Sequence, residues 1–101
     1  MASDPTFVEY VFEQSGLGPR MSTTRTFGEW ALRLDGCVVG FICRNSLFIK
    51  PLESTDMLTR GLPRRPPFHW AKPWCVADAL LDDPARLAGL LKATADAVRS
   101  R

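Results

Sequence analysis

The sequence is poor in the residues on which most small-protein chemistry depends. It has one histidine, His69, so any imidazole-based site has a single candidate base. Its three cysteines, Cys37, Cys43 and Cys75, form an odd set with no CxxC pair and no leader-like apolar run before them. That pattern predicts reduced thiols in a soluble cytoplasmic protein and excludes a disulfide scaffold. No uninterrupted apolar run approaches the roughly 20 residues of a membrane-spanning helix. The net charge is only +2, too small to mark a nucleic-acid binder by itself.

What is present suits one small globular domain, taken here as residues 1–101. The chain is 46% hydrophobic and 24% charged, which argues against wholesale disorder. Charge is unevenly placed. Residues 20–72 carry nine basic groups against four acids, and the two ends together carry four against seven. A solvated set of strand and loop edges accounts for this basic middle as well as a binding surface does.

Ser3-Asp4-Pro5 and Asp82-Asp83-Pro84 both read as helix starts, with an acid to cap free N–H groups and a proline in the first turn. After the first, Phe7, Val8, Val11 and Phe12 form one apolar stripe, stopped by Gly16 and Gly18. After the second, Leu87, Leu90, Leu91, Thr94 and Val98 mark one face of a terminal helix. Between them the period changes to two. Trp30, Leu32 and Leu34 alternate with Ala31 and Arg33; Asp35-Gly36 is a hairpin signal; Cys37–Cys43 and Ser46–Lys50 return as further strands. Residues 54–60 predict a short helix, residues 62–73 a proline-rich connection, and Trp74-Cys75-Val76 a short extra strand. The expected fold is α+β, with an antiparallel meander packed in two layers against N- and C-terminal helices.

Candidate sites are few. His69 and Cys75 could form a nucleophilic dyad only if the fold brings them together. Geometry argues against a Cys₃His zinc set built from Cys37, Cys43, Cys75 and His69: Cys37 and Cys43, six apart on one strand, lie roughly 20 Å apart, more than one tetrahedral ion spans. Gly16-Leu17-Gly18 lacks both the P-loop Lys-Ser/Thr and the GxGxxG spacing. Arg64, Arg65, Phe68, Trp70, Lys72 and Trp74 interleave cations with aromatics, which suits phosphate attraction and base stacking. Pro63-Arg64-Arg65-Pro66 also has the spacing of a PxxP ligand. The alternative is that the aromatics cover the sheet while the arginines face water. Glu29, among apolar strand residues, is expected to need a partner, with Arg25, Lys50 or Lys72 available for an ion pair; a general base is the functional alternative.

The run Thr26-Phe27-Gly28-Glu29-Trp30-Ala31-Leu32-Arg33-Leu34-Asp35-Gly36 resembles the MFGxY-x-L-x-x-DG signature of the TfoX N-terminal domain family. Thr26 stands where that signature has Met and Trp30 where it has Tyr. The resemblance continues through Cys37–Ile42, Leu47-Phe48-Ile49-Lys50-Pro51, Pro66-Pro67-Phe68, Ala71-Lys72-Pro73-Trp74 and Asp82-Asp83-Pro84. It implies an α+β domain and a link to the TfoX/Sxy regulators of competence, whose second, helical domain is expected to be absent from this chain. The family supplies no catalytic residue to carry over. The expectation is a non-catalytic interaction module without cofactor or metal. An unidentified protein partner or a second copy at a free sheet edge is expected. The alternative is a small-ligand or nucleic-acid binder using residues 64–74.

Overall fold

The computed structural model describes residues 3–100. Helix α1 runs Pro5–Ser15, capped by Asp4, whose carboxylate accepts from the Thr6 N–H, and ended by Gly16 in the left-handed conformation. Four strands follow as a meander: β1 Met21–Thr26, β2 Glu29–Leu34, β3 Cys37–Cys43 and β4 Ser46–Ile49. After a 3₁₀ turn at Glu53–Leu58 come β5 Arg64–Arg65 and β6 Trp74–Val76. A further 3₁₀ turn, Asp78–Asp82, leads into α2, Pro84–Arg99, capped by Asp83. The six strands form one sheet in the order β1-β2-β3-β4-β6-β5, antiparallel throughout. The fold is α+β, as the sequence implies.

The meander has one strand more than the sequence reading. β1 escapes the alternation test because Met21 alone of its six residues is buried. Its presence makes Phe27-Gly28 a two-residue hairpin turn like Asp35-Gly36 and Arg44-Asn45. All six turn residues have positive φ, the signature of type I′ turns that match strand twist.

The sheet buries both faces. Against one lie α1 and α2, enclosing Val11, Leu32, Leu34, Ile42, Leu47, Ile49, Cys75, Leu87, Leu90 and Leu91. On the other, the proline-rich connection folds back over Cys43, Phe48 and Val76 and contributes Phe68 to a second, smaller cluster. Two layers therefore describe only the helical side. The connection is held by Arg44, whose guanidinium donates to the carbonyls of Pro67 at 3.0 Å and Pro66 at 3.4 Å. Asp78 fixes the C-terminal half to β4, accepting from the Leu47 N–H at 2.7 Å and the Ser46 hydroxyl at 2.9 Å.

The second hairpin turn is tied to both ends of the sheet's helical layer. Asp35 accepts from Arg20 at 2.7 Å and lies 3.9 Å from Arg99 at the end of α2. The Arg20 guanidinium holds the Asp35 carboxyl below its ordinary range. A carboxyl depressed on folding stabilises the protein above its unfolded pKa, and the contribution disappears as pH falls through the folded value. Asp35→Asn keeps a residue suited to positive φ and removes the charge. The variant is expected to melt below the parent at neutral pH, with the gap closing as acid protonates Asp35 and shrinking in high salt. Paired thermal melts from pH 7 downward check this.

Candidate functional site

The outer face of the second cluster carries an aromatic ledge. Phe68 is buried and Trp70 stacks on it with ring planes parallel to within 2° and centroids 5.1 Å apart. Phe27, from the β1–β2 turn, meets both edge-on, at 5.5 Å from Phe68 and 5.0 Å from Trp70. Phe41 extends the group inward, 5.2 Å from Phe68 and 5.0 Å from Trp74. Such edge-to-face and offset pairs are favourable arrangements of aromatic quadrupoles. Two members nonetheless stay largely in water: Phe27 is 69% exposed and Trp70 59%.

Phe27 is the unexpected member. Its φ of +53° is a conformation that bulky L-residues rarely adopt, and type I′ turns prefer Asn, Asp or Gly there. The other two non-glycine residues opening such turns use their side chains within the fold, Asp35 on Arg20 and Arg44 on the proline-rich connection. Phe27 places a large apolar ring at the rim. The signal in the sequence was the Phe-Gly pair itself, legible as a turn only once β1 is recognised.

The sequence-derived binding candidates surround this ledge unequally. Trp70 belongs to it, and Lys72, two residues on, is exposed. Arg64 is exposed on β5 and paired with Asp56 at 3.3 Å. The Arg65 guanidinium lies 5.6 Å from the Phe48 ring centroid and donates to the Ser46 hydroxyl at 3.5 Å. Pro63-Arg64-Arg65-Pro66 is not a free proline-rich ligand. β5 pairs with β6, and the Pro63 carbonyl accepts from the Val76 N–H. The expectation that all three aromatics of the connection cover the sheet holds for Phe68 and Trp74 and fails for Trp70.

The ion pair expected at Glu29 does not form. Glu29 is 6% exposed, and its carboxylate accepts from two backbone donors, the Ser3 N–H at 2.8 Å and the Arg44 N–H at 3.0 Å. Arg25 instead stacks over Trp30, 4.5 Å from its centroid, and donates to the Gly28 carbonyl. Among the described residues no ion pair joins Glu29 to Arg25, Lys50 or Lys72. Backbone N–H groups satisfy a buried carboxylate without a second charge having to be desolvated. With both oxygens so engaged, Glu29 is an anchor for the N-terminal segment, not a poised base.

His69 and Cys75 are not brought together as a dyad: His69 is exposed, and Cys75 is fully buried under the helices. Cys43 lies in the opposite cluster, where burial, followed by the nearby Glu29 charge, pushes its thiol up to about 12. That is the reverse of an activated nucleophile. Among the described residues no group of three or more His, Cys, Asp or Glu is arranged to hold a metal ion, and no helix is long and apolar enough to cross a membrane. An open groove beside α2 is lined by Leu52, Glu53, Ser54 and Ala97 and shares no residue with the ledge.

No model of a known protein family matches the chain. It is 35% identical over 98 residues to an uncharacterized 12.7 kDa protein in the trpE 5′ region of Spirochaeta aurantia. The similarity covers 97% of this chain and 85% of that protein. The chain belongs to its family. Similarity at this level and of this reach means that the two share the fold described above.

Proposed function

We propose that this chain is a non-catalytic cytoplasmic interaction module of the TfoX N-terminal type, and that the Phe27–Trp70 ledge is where it grips a protein partner. The observation that carries this reading is the pair of exposed aromatics in mutual contact, one of them held at positive φ. Backbone strain and exposed aromatic area both cost stability, and a binding surface is where such costs are retained. Lys72 and His69 flank Trp70 without a neighbouring acid in residues 57–77, so the partner is an apolar or aromatic side chain with acidic flanks. The buried, high-pKa Cys43 and the separation of His69 from Cys75 support a role without chemistry.

The test separates binding from folding. Phe27→Asn supplies the residue that an Asn-Gly type I′ turn favours, and Trp70→Ala removes a mostly exposed ring. Phe27→Asn is expected to melt at or above the parent temperature, and both variants are expected to lose a protein that the parent retains from lysate of its native host. Retention of the same proteins by parent and variants overturns the ledge. Salt-sensitive binding of a labelled single-stranded oligonucleotide, lost in Arg64→Ala/Arg65→Ala, replaces this reading with the nucleic-acid one.

A further inference from the structure

We infer that β1 is a self-pairing edge, through which two copies of this chain join their sheets antiparallel about a two-fold axis. The two ends of the sheet differ in kind. At one, β5 is two residues long, lies between Pro63 and Pro66 and consists of two arginines. Short length, proline and charge are the devices that protect an edge from pairing. At the other, β1 has six residues, four of them Ser or Thr, and no proline.

The hairpin turn determines which backbone groups β1 offers. Thr26 and Glu29 flank the two-residue turn, so they form a hydrogen-bonded pair. Alternation then directs the N–H and C=O groups of Thr24 and Ser22 inward to β2, and those of Arg25, Thr23 and Met21 outward. The Met21 N–H is already used, donating to the Gly18 carbonyl. The outward groups of Thr23 and Arg25 and the Met21 carbonyl have no partner among the described residues.

This row complements itself. An antiparallel two-fold centred on Thr23 or on Thr24 forms about four backbone hydrogen bonds. It pairs Thr with Thr and Ser with Thr across the axis, combinations that favour pairing. In neither register does Arg25 face its own copy. A two-fold centred on Arg25 opposes like charges, and one centred on Ser22 or Met21 loses donors to the engaged Met21 N–H. The isologous contact closes at two copies, because β5 protects the far edge of each sheet.

The experiment is light scattering on the full chain over a concentration series, with melting followed in parallel. The expected result is a mass rising to twice the 11.3 kDa of the chain. Thr23→Pro removes an outward N–H and no β1–β2 bond, and is expected to give a folded monomer. Thr24→Lys, which brings like charges across the axis, is expected to do the same and stands in should the proline variant not fold. A chain of monomer mass throughout the series overturns the inference, as does a dimer that persists in a folded Thr23→Pro or Thr24→Lys variant. Trp70→Ala is expected to remain dimeric, so failure of the ledge and failure of the edge read out separately.

Discussion

Alanine at Gly40 is expected to lower stability by about 3 kcal/mol or more, at the upper end of what overpacking a core does. Gly40 sits in β3 opposite Ile49 of β4 and Leu32 of β2, beside an irregularity in the β2–β3 register. A Cβ there would overlap the Phe48 carbonyl oxygen, 3.2 Å from its carbon and 3.4 Å from the Ile49 Cα. All three are backbone atoms of the adjacent central strand and cannot swing aside as a side-chain tip does. Relief requires moving β4, which carries the fully buried Leu47, Phe48 and Ile49 into both cores. For a domain of this size about 3 kcal/mol corresponds to a fall in Tm of roughly 12–24 °C. Gly89 provides the control. It lies inside α2 with nothing within 4 Å of an added Cβ. Gly89→Ala is expected to stabilise by about 0.5–1 kcal/mol through helix propensity and a less flexible unfolded chain. Thermal melts of the two variants should move in opposite directions. A Gly40→Ala melt within a few degrees of the parent would mean that β3 and β4 do not approach as closely as described.

The sequence makes the helices and the buried strands legible because both leave strong periodic traces. Asp4 and Asp83 cap where acid-proline pairs announce helix starts, and Leu87, Leu90, Leu91 and Thr94 are buried as their spacing requires. Trp74-Cys75-Val76 pairs as the suspected short strand. β1 left no trace because an edge strand with one buried residue has no apolar face to alternate, and its Ser/Thr run reads as loop. Without β1 the Phe27-Gly28 turn is not legible, and with it half of the ledge. Trp70 and Lys72 could be picked out as candidates by composition, but composition does not say which aromatic is consumed by packing. That depends on the path of a proline-rich segment fixed by Arg44, 22 and 23 residues away in the chain from the carbonyls it holds. Glu29 illustrates the same limit. Alternation correctly implied that it needs a partner, yet side-chain cations are the partners a sequence displays. Backbone N–H groups brought in from residues 3 and 44 are invisible before folding.

Those backbone partners make Glu29 the second position where a large effect is expected. Ser3 is 4% exposed; its N–H donates to Glu29, and its hydroxyl accepts from the Asn45 N–H at 3.0 Å. The Asn45 side-chain carbonyl in turn accepts from the Asp4 N–H at 2.8 Å. One carboxylate thus joins the start of α1 to the β3–β4 turn, in a network whose members orient one another. Glu29→Ala strands two N–H donors out of water, each worth about 1–3 kcal/mol, and is expected to cost about 3 kcal/mol in total. Glu29→Gln retains one acceptor oxygen but turns an NH₂ toward the second donor, so an intermediate loss of about 1–2 kcal/mol is expected. Amide exchange at Ser3 and Arg44 should quicken in both variants, and more in the alanine one. An ion pair would behave differently: Arg25→Met, Lys50→Met or Lys72→Met would then lower stability as Glu29→Ala does. With the backbone as partner, the Lys50 and Lys72 variants are expected to stay within about 0.5 kcal/mol of the parent. A lysine variant that matches the loss of Glu29→Ala would show that a cation, not the N-terminal backbone, compensates this carboxylate.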